Sequence, residues 1–249
     1  MKKIVLLCCV AMLPMLVAAQ SDSLWQKANA LYAGGKFAEA AEVYAQLEES
    51  GAVNDALFYN AGNAFYKLGE TAKAILRYER ALKIDARNED ALYNLALANE
   101  QIVDKIEPVP QFFLVTWIQT FRNMLSMDAW AILGVALLLV ALALMLLAMS
   151  GAPQRRKLSF ALAIVLLCLS LTATYVAFRQ EQDFFRHKEA IVLVPVTSVK
   201  ASPDGGGLDL FVLHEGTKVA VLETIGSWKK IKTADGNQGW LPVSAIELI

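Results

Sequence analysis

Two stretches of this chain, Ala129–Met149 and Leu158–Phe178, are apolar from end to end and hold no charged residue, with only Ser150–Lys157 between them. A helix rises about 1.5 Å per residue, so roughly 20 apolar residues cross the ~30 Å hydrocarbon core of a bilayer. No water is available there to satisfy main-chain amides, so each stretch predicts a transmembrane helix, over 129–149 and 158–178. A core helix of a soluble protein rarely runs this long without a polar face. Just ahead, within 108–128, Phe113, Leu114, Trp117, Ile118, Phe121, Met124 and Leu125 fall on one helical face, with Gln119, Arg122 and Asn123 opposite. Tryptophan and phenylalanine favour the headgroup region, so this segment predicts an amphipathic helix lying on the outer surface of the bilayer.

After a charged juxtamembrane run at 179–188 the pattern changes to short strands. Candidates are Ile191–Val194, Val196–Lys200, Leu210–Leu213, Lys218–Glu223, Trp228–Lys232, Gln238–Leu241 and Ala245–Leu248, with turns at Asp204–Gly207 and Asp235–Asn237. So many strands in about sixty residues predict a small all-β barrel over 189–249 that curls to hide its edges.

Charge then orients the hairpin. The connector 150–157 carries Arg155, Arg156 and Lys157 and no acid, and short loops rich in Lys and Arg stay in the cytoplasm. These three residues are the topology determinants. Two crossings return the chain to the side it left, so the segments 20–107 and 189–249 are both expected outside the cytoplasm. Met1-Lys-Lys, the apolar run Ile4–Val17 and Ala18-Ala19 predict a secretory signal peptide over 1–19. Cys8 and Cys9 fall inside it, and Leu7 is too large for a lipid-attachment site before Cys8. After cleavage only Cys168 remains, within the second apolar stretch, so no disulfide framework is expected. The expected location is a bacterial inner membrane, with both folded ends in the periplasm.

Residues 20–107 repeat themselves. Trp25, Tyr59 and Tyr93 lie 34 apart, as do Tyr32 and Tyr66, Asn29 and Asn63, Gly35 and Gly69, Ala40 and Ala74, Tyr44 and Tyr78, and Asn60 and Asn94. One helix pair cannot bury its own apolar face, so this period predicts a stack: units over 21–54 and 55–88, then a closing helix over 89–104 with Glu100, Gln101 and Asp104 on its polar side. Ala28, Gly62 and Ala96 are small enough to let the first helix of each unit approach its neighbour.

The unit Asp55–Asn88, with Phe58, Ala61, Gly62, Phe65, Gly69, Ala74, Tyr78 and Ala81, resembles the tetratricopeptide repeat, departing where Ala86 replaces the family's proline. The resemblance implies a groove lined by Trp25, Asn29, Tyr32, Tyr59, Asn63, Tyr66 and Tyr93. Rings with polar edges and amides suit an extended or helical segment of a protein partner; solenoid packing is the other reading of the same residues. Trp25, Asp90 and Asn94 stand where a carboxylate-clamping variant has basic residues, so no carboxylate clamp is expected.

Leu213–Glu223, Gly226–Ile231 and Asp235–Leu241 resemble the bacterial SH3 domain, whose relatives often contact cell-wall peptide or other proteins. Gly205–Gly207 stands about where eukaryotic relatives carry their acidic proline-recognition loop, so Pro-x-x-Pro binding does not follow. Trp228 and Trp240 are candidates for a ligand surface there, or for core.

Composition agrees with this division. The chain has 249 residues, 56% of them hydrophobic, and a mean hydropathy of +0.42, an excess that the hairpin supplies. A net charge of −1 argues against nucleic acid, and residues 21–107 hold 14 acids against 9 bases. His187 and His214 have no companions at metal-ligand spacing, and no nucleophile elbow, zinc-protease or phosphate-loop motif occurs. No catalytic residue, metal or cofactor is expected.

The fold class is therefore a multidomain membrane protein: an all-α tetratricopeptide solenoid, a two-helix transmembrane hairpin and an all-β SH3-like small barrel. In this order the parts resemble the Bacteroides aerotolerance (Bat) family. The resemblance implies an envelope protein that works with other Bat components in aerobic or oxidative stress tolerance, and the aromatic groove with the two exported modules points to an inner-membrane scaffold that gathers protein partners. The alternative is a sensor or tether of peptidoglycan acting through the barrel.

Overall fold

The computed structural model describes residues 23–110, 112–150, 153–186 and 188–249. The signal peptide expected over 1–19 lies outside the described residues. The chain forms two compact units: residues up to Val109 join Lys188–Ile249 in one, and the intervening segment makes the other.

The first unit opens with antiparallel helices α1 (23–33), α2 (Phe37–Glu49), α3 (Asp55–Lys67), α4 (Thr71–Ile84) and α5 (Glu89–Asn99). The 34-residue period recurs in their ends. Asn54 and Asn88 cap α3 and α5, accepting from the amides of Leu57 and Ala91 at 2.7 and 2.9 Å. Gly35 and Gly69 turn the chain with φ of 75° and 77°, a region open to glycine at little cost. Inside the stack Ala28, Ala40, Tyr44, Leu57 and Ala61 are buried in one cluster. Gly62 lies against the Tyr78 ring so closely that a Cβ there would stand 2.6 Å from Cε1.

Two expectations fail at the end of the array. Ala96 is exposed, because no second helix follows α5 for it to approach. The closing helix stops at Asn99, not Asp104: the chain turns and bends over the next residues and Asp104 bonds the β domain instead of continuing the helix.

That domain consists of β1 (Lys188–Val192), β2 (Val196–Lys200), β3 (Asp209–His214), β4 (Lys218–Ile225), β5 (Trp228–Lys232), β6 (Gln238–Pro242), a 3₁₀ turn at Val243–Ala245, and β7 (Ile246–Leu248). All neighbours are antiparallel, in the order β3-β2-β6-β5-β4-β1-β7. Ala190, Val199, Leu213, Val219, Ile231, Leu241 and Ile246, from all seven strands, share one buried cluster, so the sheet is coiled around a single core. Gly239 permits the close approach of β6 to β2, since a Cβ there would meet Val199 at 2.4 Å.

The β domain packs on the helices. Ile191 is buried with Ala74, Ile75, Leu76 and Ala98, with Leu193 and Ile249 alongside, so β1 covers the apolar side of α4 and α5 that a further helix pair would otherwise bury. Polar contacts frame this patch. Arg80 donates to Glu247 at 2.8 Å and to the Leu248 carbonyl at 2.6 Å, and Lys218 pairs with Glu79 at 2.9 Å and Glu189 at 2.8 Å. The Lys218 ammonium is pushed down by burial, but Glu79 and Glu189 outweigh this and raise it above its ordinary value.

The second unit contains α6 (Phe113–Arg122), α7 (Met127–Ser150) and α8 (Pro153–Arg186). By length and composition α7 and α8 could each cross a membrane, and only 17% and 22% of their most apolar windows is buried within the chain. Small residues make their contact: Ala141, Ala148, Ala163, Ala173 and Ala177 are buried, and Ser170 donates to the Gly134 carbonyl at 2.7 Å. Arg155, Arg156 and Lys157, expected in a loop, lie in the first turns of α8. Pro153 starts that helix where its missing amide costs nothing. Likewise 179–186, expected as a linker, continues α8 as helix. No residue of α6 is buried, yet its C-terminal end is fastened. The Trp130 indole donates to the Arg122 carbonyl at 2.9 Å, and the Gln180 amide to the carbonyls of Arg122 and Leu125 at 2.7 and 3.2 Å.

Candidate functional site

The residues expected to line a groove all lie on α1, α3 or α5, the first helix of each unit. The structure separates them into those committed to the array and those left accessible. Asn29 accepts the Tyr44 hydroxyl at 2.7 Å and the Asn60 amide at 3.3 Å; one period later Asn63 accepts the Tyr78 hydroxyl and the Asn94 amide, both at 2.8 Å. Each asparagine thus joins the second helix of its own unit to the first helix of another. Their oxygens are spent inside the stack.

The rings are graded similarly. Trp25 meets Tyr44 edge-on, Tyr32 meets Phe37 edge-on, and Tyr59 leans on Tyr78 with centroids 6.2 Å apart. Tyr59 also accepts Asn94 at 3.4 Å, while Tyr66 accepts the Gln101 amide at 2.6 Å. Tyr93 is 66% exposed, and Leu92 beside it 47%. Tyr93 and the outer edges of Trp25, Tyr32, Tyr59 and Tyr66 are what this set leaves accessible. Burial, with the neighbouring Tyr32 second, pushes the Tyr44 phenol up to about 12; burial and the phenols of Tyr59, Tyr32 and Tyr66 push Tyr78 up further. Tyr44 and Tyr78 lie in the core beneath this face and are not open to a ligand.

Sequence reasoning missed Asn60, Asn94, Tyr44 and Tyr78 as members of this network, although their spacing of 34 carried the signal. It also missed a pair that nothing in the sequence marks. Asp104 beyond α5 accepts the His214 amide at 2.7 Å and the Thr217 hydroxyl at 2.7 Å, and its other oxygen lies 2.8 Å from His214 Nδ1. Burial pushes this carboxyl up, but the three contacts outweigh it and hold it below 3.8. On the β domain, Trp240 is buried and Trp228 half-buried, so Trp240 belongs to the core and offers no open ring to a ligand. Among the described residues no three His, Cys, Asp or Glu side chains come together to hold a metal ion.

Residues 62–102 match the family model of the TPR repeat. The chain contains tetratricopeptide repeats. The match runs from Gly62 through α4 and α5 and so includes Asn63, Tyr66, Tyr78, Tyr93 and Asn94. Tetratricopeptide repeats are generally non-enzymatic modules of protein–protein interaction. Solved structures similar to this chain include the OM64 TPR domain of Arabidopsis, at 17% identity over 65% of this chain and 96% of that one, with a TM-score of 0.32. Another is the Sgt2 TPR domain of Aspergillus fumigatus, at 15% identity over 66% of this chain and 80% of that one, with a TM-score of 0.31. No curated protein matches.

Proposed function

We propose that this protein is an inner-membrane scaffold whose tetratricopeptide face and SH3-like β domain stand together in the periplasm and gather protein partners. One observation carries the reading. The segments before and after the α7–α8 hairpin fold into a single compact unit, which requires the hairpin to return the chain to the side it left. Two crossings do so, and the Arg155-Arg156-Lys157 cluster beside the bend favours the cytoplasm for the bend. The exposed ring edges around Tyr93 then lie outside the cytoplasm, open to a partner segment. Among partners, the order of parts favours other Bat components, in the manner of BatE and in support of aerobic or oxidative stress tolerance.

The α6 helix fits the same placement. Its wholly exposed apolar face, pinned at one end to α7 and α8, belongs in the headgroup layer of the outer leaflet. A reporter fused at Ile249 is expected to be active only outside the cytoplasm, and cytosolic activity would overturn the topology. Crosslinking in native membranes tests the groove. Wild-type chain should capture a partner that a folded Tyr59→Ala plus Tyr93→Ala chain loses; equal recovery by both would refute groove binding.

A further inference from the structure

The segment that leaves α5 sits on the β domain as a bound peptide sits on a receptor. Ile102, Asp104 and Ile106 are partly buried while Val103, where the chain bends, and Lys105 are exposed, so every second side chain is turned inward. Ile102 packs with Ile75 and Ile191, and Ile106 packs against the core of the β domain. Between these apolar anchors the Asp104 carboxylate meets an amide, a hydroxyl and an imidazole, those of His214 and Thr217. Farther along, the Val109 amide donates to the Ala234 carbonyl at 3.2 Å.

The seat is roomier than its occupant. A hollow of about 380 Å³ opens toward Gly216, Lys218 and Ala234, and a second of about 340 Å³ toward Phe211, Thr233 and Asn237. Asp104, Lys105 and Ile106 border both, so the strap runs between them.

We propose that this cleft, walled by the β domain and, at the Ile102 seat, by α4 and α5 as well, is a recognition site for a peptide of the pattern aliphatic–x–Asp–x–aliphatic. It is occupied in cis by Ile102–Ile106 and available to a partner protein presenting the same pattern in trans. The strap itself shows the ligand chemistry: two aliphatic seats flank a site that bonds a carboxylate, and an aliphatic residue there would leave the His214 amide and the Thr217 hydroxyl unpaired. A tethered strap acts at an effective concentration near millimolar, so a competitor must add contacts of its own, and the two hollows supply the room. The site is distinct from the face on α1, α3 and α5 and does not depend on it or on membrane orientation.

The test uses the full chain in detergent micelles and a fluorescent peptide, Ile-Val-Asp-Lys-Ile-Glu-Pro-Val-Pro, read by anisotropy. Asp104→Ala weakens the strap and should bind this peptide at least about tenfold more tightly than wild type does. A peptide with Ala for Asp, which offers no acceptor to the His214 amide and the Thr217 hydroxyl, should bind the variant about tenfold more weakly. Ile106→Ala, which empties the aliphatic seat on the β-domain core, serves if the alanine variant at 104 does not fold, and the same order is expected. No uptake by a variant with native circular dichroism, or equal uptake of both peptides, would overturn the proposal. Dimerisation of the variant without peptide uptake would also overturn it, by assigning the seat to the strap of a second copy.

Discussion

Arg80 on α4 reaches Glu247 on β7 at 2.8 Å, joining residues that stand 167 apart in sequence with the whole hairpin between them. The same guanidinium bonds the Leu248 carbonyl and lies near Glu48, which also holds Arg77 at 2.9 Å. Helices and sheet are therefore coupled through a largely shielded ion network. Arg80→Ala leaves a carbonyl and two carboxylates short of a donor and should destabilise this unit by about 1–2 kcal/mol. Urea unfolding followed by circular dichroism should show a lower midpoint and still one transition; separate transitions for helix and sheet in the wild type would contradict the coupling.

Gly62→Ala should cost about 1–3 kcal/mol by overpacking, because its Cβ would press on the Tyr78 ring and draw the Tyr78 hydroxyl from Asn63. Gly205→Ala, with nothing within 4 Å of the new methyl, is the neutral control. Thermal melts of the two variants should differ by several degrees.

Alkali should loosen the array. The Tyr44 phenol titrates at about 12 when folded against 10.0 ordinarily, so its contribution is complete below pH 10 and is lost as pH rises through 12. Tyr44→Phe removes this dependence together with the bond to Asn29. The slope of melting temperature between pH 10 and 12 should be shallower in the variant.

Acid should release the strap. The Asp104 carboxyl is held below 3.8, so docking is complete above that value and is lost as pH falls past it and through the lowered folded one. The protection of the His214 amide, whose hydrogen is held by Asp104, relative to an unstructured amide at the same pH should fall over that range. Unchanged protection of the amide in Asp104→Ala would show that the bond does not control this contact.

Spin labels on α6 should report a helix lying in a bilayer interface. In chains without Cys168, a label at position 118 should be reached by oxygen more than by a water-soluble nickel complex, and a label at 116 the reverse. Equal access of the nickel complex to both would place α6 in water.

The sequence by itself determined what repeats or persists locally. A period of 34 residues laid down the helix pairs and the recurring glycines, and two uninterrupted apolar runs laid down the hairpin, because the residues that make such elements are near neighbours in the chain. Tertiary structure alone decided the rest. It stopped α5 at Asn99, left Ala96 uncovered, buried Trp240, spent the oxygens of Asn29 and Asn63 within the stack, and brought Asp104 to His214 and Arg80 to Glu247. Contacts across more than a hundred residues follow no period. They arise from which apolar face a neighbour happens to cover, and that is settled only when the helices and the sheet are folded together.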